Sequence, residues 1–304
     1  MNVSSPHLIR YAFLSLAAAI ITIVLKSYAY WVTGSVGLLS DALESLINLV
    51  AALVAIMALS IASRPADKGH AFGHEKIEYF SSGAEGLMIL VAAIGIMATA
   101  WNRLWALQAI AEIDVGVQVA AVAALVNLGV ARGLIRAGKK HRSLILEADG
   151  KHLMTDVWTS LGVVGAVVCI PLIEYLGYGR WLILDPVIAF LVAINITWTG
   201  IGLLKRTFAG LMDASVDTAD FNKTKSILDE FVAQEGIYFH ALRTRYAGSR
   251  LFISVHILVP GEWTVKRGHD LLERIELRFE QEFGQIDIDT HLEPIEDIAS
   301  WQHD

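Results

Sequence analysis

The sequence predicts a membrane protein in two parts, an all-α six-helix transmembrane bundle followed by a C-terminal cytoplasmic α+β domain. Three observations lead there. Of 304 residues, 55% are hydrophobic and 18% charged, at a mean hydropathy of +0.52, which excludes an ordinary soluble enzyme. Apolar residues gather into long stretches up to residue 206 and into short alternating ones beyond it. Charge divides at the same place: residues 1–206 carry 15 Lys/Arg against 13 Asp/Glu, and residues 207–304 carry 9 against 18. The expected domains are therefore 1–206 and 207–304, an apolar body with an acidic tail. No basic patch supports nucleic acid as a partner. The single cysteine, Cys169, leaves neither an intrachain disulfide nor a thiolate metal cage, so metal chemistry falls to His, Asp, Glu and Asn.

Crossing about 30 Å of hydrocarbon takes roughly 20 apolar residues per helix. Six stretches qualify, at about 8–31, 36–61, 78–105, 113–135, 145–173 and 181–206. The first is too long for a signal-peptide core and lacks a small-residue cleavage site, so it is expected to remain as a helix in a protein that starts at its own Met. Arg64, Lys68 and Lys76 fall between helices 2 and 3, and Arg132, Arg136, Lys139, Lys140 and Arg142 between helices 4 and 5. The alternate connections offer mainly Glu112, Asp114, Glu174 and Arg180, so both termini are expected in the cytoplasm. Trp31, Trp101, Trp105 and Trp181 suit an interfacial belt at the opposite ends.

Beyond Arg206, Asp217 or Asp220 can cap a helix running to about 235. GIYFHALRTRY and RLFISVHILV alternate around Ala247-Gly248-Ser249 as a hairpin, 264–283 reads as a helix, and QIDIDTHLEP as a last strand. The expected order is α-β-β-α-β.

A charged group at bilayer depth costs at least about 2.5–3.5 kcal/mol, so each needs a partner or a purpose. Helix 2 places Asp41, Glu44 and Asn48 at offsets 0, 3 and 7, and helix 5 places Asp149, His152 and Asp156 at the same offsets. Each set shares one helix face. If the stripes oppose each other, Glu44, Asn48, His152 and Asp156 supply four N/O metal ligands near the midplane. The plainer reading is an interhelical hydrogen bond for a lone His or Asn and a helix-dipole role for Asp149. Three ionisable residues at i, i+4 spacing with a fourth ligand-capable one favour the metal. A second cluster, Asp67, His70 and His74, lies in the loop RPADKGHAFGHEK, where three donors within eight residues can close around a tetrahedral ion. A third group, His240, His256, His269, His291 and Glu293, is spread over three strands and a helix of the tail, and spacing alone does not decide its convergence.

These segments resemble a known family. GSVGLLSDALESLIN, PADKGHAFGHEKIE, ADGKHLMTDVWTSLGVV, LDPVIAFLVA, FHALRTRYAGSRLFISVHILV and DTHLEP together are similar to the cation diffusion facilitators, proton-coupled exporters of divalent metals. The resemblance implies an intramembrane site with two residues four apart on helix 2 and an HxxxD pair on helix 5, matched here by His152 and Asp156. Where zinc-type members carry Asp or His followed by Asp, this chain has Glu44 and Asn48, so the ligands hold two negative charges and balance one divalent ion. That leaves zinc open alongside Fe(II), Co(II) and Mn(II), which imidazole, carboxylate and amide oxygen also serve; Cd(II) finds no soft ligand. The resemblance likewise implies metal sites at Asp67, His70 and His74 and at His240, His256, His269, His291 and Glu293, a ferredoxin-like tail, and a homodimer joined through it.

The expected function is proton-coupled efflux of divalent metal by alternating access, with the ion as substrate and regulatory ligand and no further cofactor. A histidine must be neutral to ligate, and one titrating near the ordinary value of about 6.5 exchanges metal for a proton. Asp41 and Asp149 are the expected proton-relay carboxylates at the two mouths; Glu85 in helix 3 has no assigned role. The chain is expected in a bacterial inner membrane, with metal ions, protons and the bilayer as its partners. Two rivals from other classes are an intramembrane metallopeptidase, whose HExxH is absent, and a membrane-anchored metal sensor, which would rearrange without flux.

Overall fold

The structure, a computed structural model, describes residues 6–33, 36–105, 115–175, 183–284 and 286–301; within the helices the side chains of some residues, Asp41 and Glu44 among them, lie outside the description. The chain divides into two compact units, Met1–Phe208 and Ala209–Asp304.

The first unit consists of six long helices: α1 (Pro6–Thr33), α2 (Val36–Ala62), α3 (Ile77–Trp105), α4 (Val115–His141), α5 (Leu144–Tyr175) and α6 (Leu184–Leu211). Among the described residues, four stretches are long and apolar enough to cross a membrane, in α1, α3, α4 and α6. α2 and α5 carry the polar stripes. The unit is dressed for lipid: Phe13, Ile21, Val50, Met57, Leu87, Val91, Leu125 and Leu191 are exposed, while Ser15, Asn48, Glu85, Asn127, Asp149, His152 and Asp156 are buried. α1, α2, α4 and α5 share a core that includes Leu8, Ala12, Ala55, Leu59, Leu134, Ile145 and Leu153. α3 and α6 pack through Ile89, Ala93, Ile196 and Leu203 against Ala148 of α5.

Two helices run on past their expected ends. The basic run expected as a loop after residue 135 is helical to His141, because Lys and Arg are good helix formers and Lys139, Lys140 and His141 complement the negative end of the dipole. Arg142, at φ 56°, and Ser143 alone connect α4 to α5. This tight reversal requires bare backbone: a Cβ on Gly138 would stand 2.6 Å from Glu147 N, and one on Gly150 would stand 2.8 Å from Ile135 Cγ1. The N-terminus of α5 is capped from α3, where Glu78 Oε2 accepts from Ser143 Oγ at 3.0 Å and Leu144 N at 3.1 Å. α6 passes the expected end at 206 because Thr207 is buried against Ser82 of α3, their hydroxyls 3.0 Å apart.

The second unit follows the order α7 (Thr218–Glu235), β1 (Tyr238–Ala247), β2 (Arg250–Val259), α8 (Val265–Phe283), β3 (Ile286–Pro294), with a short 3-10 turn at Ile298–Trp301. Asp217 is the α7 cap, accepting from Asp220 N at 2.9 Å, and Thr264 caps α8. The sheet order is β1-β2-β3, with β1 antiparallel and β3 parallel to β2. Both helices lay apolar residues, among them Ile227, Leu228, Leu271, Ile275 and Phe279, on one sheet face with Leu251, Ile253, Val255 and Ile257. A register shift between His240 and Arg243, with Ala241 at φ 50°, bends β1 beside His240.

Candidate metal centres

The predicted stripes of α2 and α5 meet. Asn48 Nδ2 donates to Asp156 Oδ2 at 2.5 Å, and Asn48 Oδ1 lies 2.7 Å from His152 Nε2. An amide oxygen only accepts, so in this arrangement His152 presents an Nε2–H. All three side chains are at least nine-tenths buried. Asn48 thus holds the imidazole and the carboxylate against one another, with both of its polar atoms engaged. α4 adds a residue that the sequence pattern does not single out: Asn127 Nδ2 donates to Asp156 Oδ2 at 3.3 Å. Its one signal is an amide inside the apolar run ALVNLGV. The side chains of Glu44 and Asp41 lie outside the described residues.

One turn before His152, Asp149 is buried and accepts from Ser15 Oγ of α1 at 3.0 Å. It sits beyond the first turn of α5, where the acidic residue is Glu147, so the dipole reading fits it poorly. Glu85 is also buried, neither of its oxygens has a hydrogen bond among the described residues, and it lies within electrostatic reach of Asp149.

In the first loop, Asp67, His70 and His74 bring ligand atoms within 4.8 Å of one another. The sequence dictates the shape through an Asx turn: Asp67 Oδ1 accepts from Gly69 N at 2.7 Å and His70 N at 2.8 Å. Those two backbone bonds hold the Asp67 carboxyl below its usual 3.8, His70 first and Gly69 next, with smaller help from the His74 and His70 charges against slight desolvation. Asp67 Oδ2 is 3.4 Å from His74 Nε2, and the imidazoles of His70 and His74 lie 4.5 Å apart.

In the tail, strand register does what spacing could not show. His240 pairs with His256 across β1–β2, and His256 with His291 across β2–β3, so three histidines form one rung. Neighbouring rings are 4.9 and 5.1 Å apart. Glu293, two residues along β3 on the same face, reaches His240 Nε2 at 2.8 Å, His256 Nδ1 at 3.2 Å and His291 Nε2 at 3.7 Å. His240, His256 and Glu293 form a metal-competent group. Burial works to raise the Glu293 carboxyl, but the His240 hydrogen bond and the His256, His240 and His291 charges outweigh it and hold the group below 4.5. His269 stands apart: α8 leaves it exposed beside Glu273, 3.7 Å away, so within one chain it does not join the rung. Trp301 stacks on His240 at 6.3 Å, a closure that no sequence pattern announces.

Fold and sites together define a polytopic membrane protein with a buried, hydrogen-bonded polar cluster between helices and an α+β appendage that carries a metal-competent group. Comparison with known proteins then places it: the chain belongs to the cation diffusion facilitator family of metal exporters. Residues 12–212 match the cation efflux transmembrane domain and residues 216–295 the cation efflux protein cytoplasmic domain. It is 51% identical to an uncharacterized transporter of Synechocystis sp. over 96% of this chain and 92% of that one. It is 27% identical to the cation-efflux pump FieF of Shewanella oneidensis over 93% of this chain and 92% of that one. A solved structure of CzrB in its zinc form aligns with 27% of this chain and 91% of that one at 27% identity; its TM-score of 0.26 adds nothing to the fold assignment. The family is one of transporters, and the chain is a membrane cation efflux protein.

Proposed function

We propose that this protein exports divalent ions of the zinc, iron, cobalt or manganese class in exchange for protons, by alternating access around Glu44, Asn48, His152 and Asp156. The observation that carries this reading is Asn48 bridging His152 and Asp156 inside the buried helix interface. In that arrangement, Nε2 of His152 carries a proton toward Asn48. For that nitrogen to ligate, the proton must move to Nδ1 or leave, and the Asn48 amide must turn from its neighbours toward the ion. Metal and proton thus compete for the same atoms, which is the chemistry an antiporter needs.

Asp149, anchored to Ser15 and close to Glu85, is proposed with Asp41 as a proton-relay carboxylate. Separate Asp41→Asn and Asp149→Asn variants in vesicles test this; unchanged metal-driven proton flux in both would end the relay. The protein is read as a homodimer in the cell (inner) membrane with both termini cytoplasmic, an orientation supported by the basic residues near the α2–α3 and α4–α5 connections. The loop and tail clusters are proposed as cytoplasmic metal sites, the tail biasing one transport conformation when metal is abundant.

The test is uptake of Zn, Fe, Co, Mn, Ni and Cd by proteoliposomes under an imposed pH gradient. Flux of at least one ion with counterflow of protons is expected, abolished in the Glu44/His152/Asp156 triple alanine. Metal-dependent rearrangement of the tail without flux would instead favour a sensor.

A further inference from the structure

A groove of about 240 Å³ opens between α4, α5 and α6. Lys151, Met154, Thr155 and Trp158 line it from α5 at i, i+3, i+4 and i+7. At about 100° per residue, the centre of that face lies roughly 130° around α5 from the His152/Asp156 face. Ile135 of α4 and Ile196 of α6 complete the apolar wall.

The end of the groove nearest the α4–α5 turn is cationic. Lys139 is exposed at its rim, in the last turn of α4. Lys151 stands near the start of α5, and its ammonium bends back one turn to Glu147 Oε1 at 2.9 Å, toward the α4–α5 turn. Arg206 of α6 pairs with the same oxygen. Lys151 and Arg206 thus share one carboxylate while Lys139 stands at the groove's rim, which leaves positive charge in excess beside an apolar slot. From Lys151 to Trp158 the helix rises about 10 Å, the depth of the upper part of an acyl chain. The volume falls below the roughly 300–1,000 Å³ of a pocket that engulfs a drug-sized ligand. A slot with a cationic rim also repels a metal ion.

We infer that this groove is a binding site for an anionic phospholipid, its phosphate between Lys139 and Lys151 and one acyl chain along Met154, Trp158 and Ile196. Basic pockets between spanning helices take acidic head groups, and each lysine near an anionic surface strengthens binding about fivefold. The site lies on the helix that bears His152 and Asp156, so lipid composition can bear on α5 without touching the ion pocket.

Native mass spectrometry of the detergent-solubilised full chain, with phosphatidylglycerol and phosphatidylcholine of identical acyl chains, tests this independently of transport. Preferential retention of phosphatidylglycerol is expected. Lys139→Gln, at an exposed helix end, should lower it about fivefold and lower phosphatidylcholine, whose choline offsets its phosphate, by less. Thr199→Trp, which fills the slot, should reduce retention of both. Equal retention of the two lipids, indifference to both substitutions, or displacement of phosphatidylglycerol by millimolar inorganic phosphate would overturn the assignment. So would a change of oligomeric mass on filling the slot with lipid retention intact, which would give the surface to a second copy of the chain.

Discussion

Asn127 of α4 and Asn48 of α2 donate to the same oxygen of Asp156, at 3.3 and 2.5 Å, so three helices converge on one carboxylate. That convergence makes Asp156 the hub of the pocket and gives α4 a part in it.

Replacing Asn127 with Leu removes a hydrogen bond to a charged group, a contribution of about 1.5–3 kcal/mol. Metal affinity measured by calorimetry should fall roughly tenfold or more while the bundle stays folded. Unchanged affinity would show the contact to be incidental.

Asn48→Asp adds a third negative charge to the proposed ligand set. The ratio of zinc to manganese flux in the proteoliposome panel should rise on the order of tenfold, equivalent to about 1.4 kcal/mol of discrimination. Asn48→Ala, which unlinks His152 from Asp156, should instead depress flux of every ion.

Asp67→Asn retains an oxygen to accept from Gly69 N and His70 N, so the loop should keep its turn while losing its anionic donor. Since even supporting groups around a metal cost about 10–100-fold when removed, metal affinity at the loop should drop at least about tenfold. Titration in a background with both His240/His256/Glu293 and Glu44/His152/Asp156 replaced by alanine isolates that signal.

Glu293 sets a pH dependence whose sign is fixed by its direction of shift. Its folded value lies below the ordinary 4.5, so its stabilisation is complete above 4.5 and is lost as pH falls through the depressed value. Without metal, Glu293→Gln should lower the melting temperature near neutral pH and flatten its decline on acidification, followed by tryptophan fluorescence. A variant that tracks the wild type across that range would remove Glu293 from the account.

Gly138→Ala and Gly150→Ala should each destabilise the bundle by about 1–3 kcal/mol, since a Cβ meets Glu147 N at one position and Ile135 at the other. Thermal melting in detergent reads this directly.

The six helices and the α-β-β-α-β tail are legible in the sequence because apolar length and alternation reflect burial in lipid and in a half-covered sheet. Asn48, His152 and Asp156 are legible because a polar stripe inside an apolar helix is too costly to persist without a partner or a ligand. Asn127 escapes notice because a single amide shows no periodicity. The histidine rung is not legible in spacing and rests there on the family resemblance alone, since His240, His256 and His291 come together through strand register and a bulge at Ala241. His269, singled out by residue type, stands on the exposed side of α8 beside Glu273 and does not meet the rung within one chain. The long α4 is hidden because its positive charge reads as a loop, although it can equally finish a helix.

The stacking of Trp301 on His240 gives the appendage a built-in optical gauge. Trp263 is the other indole beyond residue 206, and it lies under Arg267, 3.7 Å from its ring centre. An ion that seized His240 would change the electronic surroundings of Trp301, so in a chain whose other seven tryptophans are replaced by phenylalanine, emission would follow filling of the tail without any attached dye.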